Sequence, residues 1–68
     1  MEGNIKNHIK VWRAKMNMTQ ADLAKAIGSS RQAVNAIEKG KYVPSTLLAL
    51  KMADVFTTTV EEIFEIEK

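Results

Sequence analysis

The chain has no cysteine. That excludes a disulfide and any metal site built on thiolates. With a single histidine, His8, the composition also argues against a structural zinc ion, and no metal or cofactor is expected. A reducing, cytoplasmic setting fits this usage. No apolar run approaches the roughly 20 residues of a membrane span. No charged-then-apolar leader is present, so neither membrane insertion nor secretion is expected. A catalytic set is missing too. His8 lies in a basic helix without a convincing acid partner in the sequence, and the three glycines form no phosphate loop. The carboxylates gather at a helix cap and in the tail, where solvation accounts for them. The chain is not expected to be an enzyme.

What is present is enough for one small domain, residues 1–68. A core of this size is marginal alone and favours a partner. The formal charge is +2, from 10 Lys+Arg against 8 Asp+Glu, too little to imply nucleic acid by itself. Its distribution says more. Glu61, Glu62, Glu65 and Glu67 make the end acidic, which leaves the basic residues mostly before residue 52.

The informative stretch is Thr19–Gly40, TQADLAKAIGSSRQAVNAIEKG. Thr19 caps a short helix whose Leu23, Ala24 and Ile27 share one face. Gly28 stops it, because glycine takes the left-handed conformation at little steric cost. Ser30 caps a second helix, with Val34 and Ile37 inward, and Gly40 ends it. Ala24 is small where two helices must cross closely over a tight turn, which is what a helix-turn-helix needs.

Gln20, Leu23, Ala24, Ile27, Gly28, Val34 and Ile37, followed by EKGKYVPS, resemble the motif of the phage repressor and Cro family, the XRE-like regulators. The likeness covers roughly residues 7–66. It implies an all-α, five-helix, lambda-repressor-like domain that binds DNA. It also implies that Gln20 clamps a phosphate, and that Arg13 late in the first helix meets Glu38 late in the third.

The rest of the chain fits five helices. Residues 1–6 form an arm, and Asn4 or Asn7 caps a first helix over about 8–16 with Ile9, Trp12 and Met16 inward. Asn17 ends it in a left-handed turn, and Met18 plugs the next junction. Pro44 blocks a helix through the basic loop Lys39–Tyr42, and Ser45 caps a fourth helix over 46–56. Ala49, Leu50, Ala53 and Phe56 share its inner face, broadened by Leu47 and Leu48. Thr59 and Glu62 have capping-box spacing for a short fifth helix with Val60, Ile63 and Phe64. The alternation IFEIE predicts a terminal strand, with Ile5 of the arm as its partner.

An α-helix fits the DNA major groove and shows base edges its first turn. Ser30, Arg31, Gln32, Asn35 and Ala36 are the candidate base readers. Arginine matches the guanine edge and glutamine the adenine edge, while Ser30 and Ala36 suit thymine methyls. Phosphates would be held by the helix start at Thr19 and Gln20, and by Lys39, Lys41 and Tyr42. One recognition helix makes few contacts, so a homodimer on a near-palindrome is expected, its two copies joined through the 60–68 tail. Leu47, Ile63, Phe64 and Ile66 are the candidate interface. The expected function is a transcriptional regulator, a repressor by preference, without a small-molecule ligand. The competing expectation is an antitoxin or protein-binding adaptor of the same fold.

Overall fold

A computed structural model describes residues 4–67. Residues 1–3 of the arm and Lys68 of the tail lie outside the described residues. The chain runs β1 (Asn4–Asn7), α1 (Ile9–Lys15), α2 (Gln20–Ile27), α3 (Arg31–Glu38), α4 (Thr46–Phe56), α5 (Val60–Ile63) and β2 (Phe64–Glu67). The five expected helices are present, together with the terminal strand pair. β1 and β2 are antiparallel, with Ile5 opposite Ile66 and Asn7 opposite Phe64.

Capping follows the side chains. Thr19, Ser30 and Ser45 each accept a backbone N–H three residues on, from Asp22, Ala33 and Leu48. These groups have no partner inside a helix, so each cap removes an unsatisfied donor. At α2 the exchange is reciprocal, because the Asp22 carboxylate accepts the Thr19 N–H at 3.0 Å. The capping box expected at Thr59 and Glu62 does not form. α5 is a single turn, and the Glu62 N–H goes to the Thr59 carbonyl instead of its hydroxyl.

Four helices end in one way. Asn17, Gly28, Gly40 and Thr57 all have positive φ. After each, the next N–H reaches back to the last helical turn: Met18 to Arg13, Ser29 to Ala24, Lys41 to Ala36 and Thr58 to Ala53. This is the αL termination that asparagine and glycine tolerate. Thr57 is β-branched and adopts it at φ 55°, where its Cβ crowds the backbone.

Ile9, Leu23, Ala24, Ile27, Val34, Ile37, Met52, Ala53, Phe56 and Ile63 form the buried core. Trp12 packs against it and stacks on Phe56, ring centroids 6.1 Å apart. The Trp12 Nε1–H donates to the Glu62 carbonyl, and the His8 N–H donates to that of Ile63. α1 thereby satisfies the end of α5.

Four apolar assignments differ from the pattern. Met16 is exposed, because α1 stops at Lys15 and Met18 turns inward in its place. Leu47 and Leu50 are 61% and 56% exposed, and Met52 is buried instead. α4 is apolar on more than one side, and the side facing the core takes Met52, Ala53 and Phe56. Ile63 is fully buried, so it serves this chain's own core and offers no surface to a second copy.

Replacing Thr57 with glycine should relieve the crowded backbone at a small entropic cost. We expect Thr57→Gly to stabilise the domain by about 0.5–1 kcal/mol and to raise its melting temperature by roughly 2–8 °C. A calorimetric scan with no rise would show that this turn carries no strain.

Candidate nucleic-acid interface

α3 is amphipathic. Val34 and Ile37 are buried, while Arg31 and Gln32 in its first turn are exposed. Ser30 is exposed at the N-cap, its Oγ accepting the Ala33 N–H at 3.1 Å. Asn35 and Ala36 are half-buried beside this face. The five candidate base readers therefore sit on or beside the outward side of one helix.

The inner flank is fixed by a polar cluster. Arg13 Nε donates to Glu38 Oε2 at 2.6 Å and Nη2 to Oε1 at 3.1 Å, a fork-on-fork pair. Its Nη1 donates to the Met18 carbonyl at 3.0 Å. The side chains are 14% and 10% exposed, so solvent screens the pair only partly. Hydrogen bonding to Glu38 raises the Arg13 pKa above its ordinary value, against the smaller opposing effect of burial.

Gln20 joins the same cluster. Its Nε2 donates to Asn35 Oδ1 at 3.2 Å and to Glu38 Oε1 at 3.3 Å. The expected phosphate clamp is thus turned toward α3, with its amide protons engaged. Phosphate oxygens accept only, so a phosphate would have to displace one of these bonds.

Thr19 is exposed, with its backbone N–H committed to Asp22. The Thr19 backbone and hydroxyl hold the Asp22 carboxyl below its ordinary pKa of 3.8. That places a negative charge in the first turn of α2, where it complements the helix dipole. Lys39, Lys41 and Tyr42 are exposed in the turn after α3.

Asn7 was visible in the sequence only as a cap for α1. Its Oδ1 does accept the Ile9 N–H, but its Nδ2 also donates to the Ile37 and Glu38 carbonyls. No local signal announces a contact some 30 residues away. Among the described residues, no group of three or more His, Cys, Asp or Glu could hold a metal ion. No described helix is long and apolar enough to cross a membrane.

The Arg13–Glu38 pair has a measurable consequence. Glu38→Gln removes the charge that answers a half-buried guanidinium, and should cost about 2–3 kcal/mol. A thermal melt matching wild type would show that the pair contributes nothing.

Comparison with known proteins agrees with this geometry. A helix-turn-helix family model matches residues 9–63. An HTH-type transcriptional regulator of Methanocaldococcus jannaschii is 55% identical over 60 residues, covering 88% of this chain and 91% of that protein. The HTH-type transcriptional regulator YgzD of Bacillus subtilis is 45% identical over 64 residues, covering 94% and 97%. The solution structure of the SOS-response transcriptional repressor LexA from Eubacterium rectale superposes with a TM-score of 0.77 at 32% identity, covering 88% of this chain and 64% of that one. With its five helices in this order, the chain belongs to the XRE-type helix-turn-helix family of transcriptional regulators.

Proposed function

We propose that this chain is a sequence-specific double-stranded DNA-binding repressor that works in the cytoplasm as a homodimer. The observation that carries the reading is the outward first turn of α3, with Arg31 and Gln32 exposed above a flank braced by Arg13, Glu38 and Gln20. Arg31 and Gln32 read base edges, with Ser30, Asn35 and Ala36 beside them. Lys39, Lys41, Tyr42 and the hydroxyl of Thr19 hold phosphates, and Gln20 joins them by exchanging one bond to α3.

The dimer forms through an apolar surface between the strand pair and α4. Ile5, Val43, Leu47, Leu50 and Ile66 are exposed large apolar residues. A groove of about 200 Å³ runs between Ile5, Val43, Pro44, Leu50, Val60 and Phe64. Burying this surface in a second copy supports a small core, and places two recognition helices on one near-palindromic site. Their half-sites lie about 34 Å apart.

Selection of bound sequences from random duplexes supplies the operator for testing these roles. Gln32→Ala should relax preference at one or two base positions. Lys41→Ala should weaken all sequences alike and reduce the salt slope by about 1. Wild type that shows no salt-dependent DNA binding would end the regulatory reading. In analytical ultracentrifugation, the double variant Leu47→Asp, Ile66→Asp should sediment as a monomer while wild type sediments as a dimer. A variant that stays dimeric would remove this surface from the interface.

A further inference from the structure

Asn7 closes β1, and its side chain faces two ways. Its Oδ1 accepts the Ile9 N–H at 3.2 Å, at the start of α1. Its Nδ2 donates to the carbonyls of Ile37 at 3.0 Å and Glu38 at 3.3 Å, at the end of α3. Carbonyls in a final helical turn lack partners within their own helix. Those of α3 are held partly by its own αL turn, where Gly40 N–H reaches Ile37, and partly by the terminal sheet through Asn7.

We propose that Asn7 is a positioning residue for base reading, which carries the seating of the strand pair into the angle of α3. The inference rests on α3 being the reading element, as argued above. Arg13 grips α3 through a side chain, Glu38, which has torsions of its own. Asn7 grips the backbone directly, from a strand fixed opposite Phe64. With both in place the helix is held at its C-terminal end from two directions. Bidentate contacts to base edges tolerate displacements of only about 0.5 Å. Phosphate contacts from lysine tolerate more, because the stem is flexible and the ammonium is a point charge. Loosening Asn7 therefore damages discrimination among sequences and spares the general attraction to the DNA backbone.

Two substitutions separate this role from the cap on α1. Asn7→Asp keeps the acceptor for the Ile9 N–H but has no proton to donate at neutral pH. Asn7→Ser also keeps an acceptor, on a side chain too short to bridge to α3. Dissociation constants would be measured on the selected operator and on single-base variants of it. Each series would be run across a range of salt, at a temperature where circular dichroism shows the protein folded. The ratio of variant-site to operator dissociation constants should fall about 2- to 10-fold, with the salt slope unchanged. If one substitution prevents folding, the other decides. Folded variants that keep the wild-type ratio, or that lose affinity equally on every sequence, would overturn the inference while leaving the DNA-binding reading intact. Wild type that does not discriminate at all would overturn both.

Discussion

The two-pronged contact between Arg13 and Glu38 is the constraint on which the presentation of α3 depends. Val34 and Ile37 attach α3 to the core, but apolar burial has no direction and leaves the helix free to rock. A planar guanidinium supplies direction, because its donors are fixed in a fork. The same group holds the Met18 carbonyl, so α1, the junction before α2 and the end of α3 meet on one side chain. Gln20 adds a brace from α2 and Asn7 another from β1. Three elements thus converge on the last turn of α3 and leave its first turn outward.

Much of this was legible because local chemistry and the fold agree. Asn17, Gly28 and Gly40 are residues that accept positive φ, and each ends a helix where its neighbours predict. Thr19, Ser30 and Ser45 have a short oxygen at the position that needs one, and all three cap. The tail strand followed from the alternation of Ile63–Glu67, and after the start methionine Ile5 was the only large apolar residue the arm offered as its partner. The Arg13–Glu38 pair came from family resemblance, since nothing in the spacing of 25 residues announces it.

What escaped depends on neighbours distant in sequence. α4 reads TLLALKMADVF, and its apolar residues spread over more than one side. Only the placement of the other helices around the core decides that Met52 goes inward and Leu50 outward. Ile63 belongs to the same tail as Ile66, yet one is in the core and the other is 69% exposed. The change from a helical turn to a strand between them alters which side faces inward. Gln20 matched the family motif, but the direction of its amide is set by Asn35 and Glu38, which come from another helix.

The strand pair also has a place in the order of assembly. The pairing of Asn4 with Glu67 encloses nearly the whole domain, and the contact of Trp12 with the Glu62 carbonyl closes a loop almost as long. Loop length adds little to separate the two, because closure cost grows only slowly with length, but two four-residue strands hold few bonds of their own. A strand pair this short, at the two ends of the described chain, is expected to open at lower cost than the helical core. Through Asn7 such an opening would be felt at the end of α3, so an outward-facing helix braced by Arg13 and Glu38 is also tied to the loosest seam in the molecule.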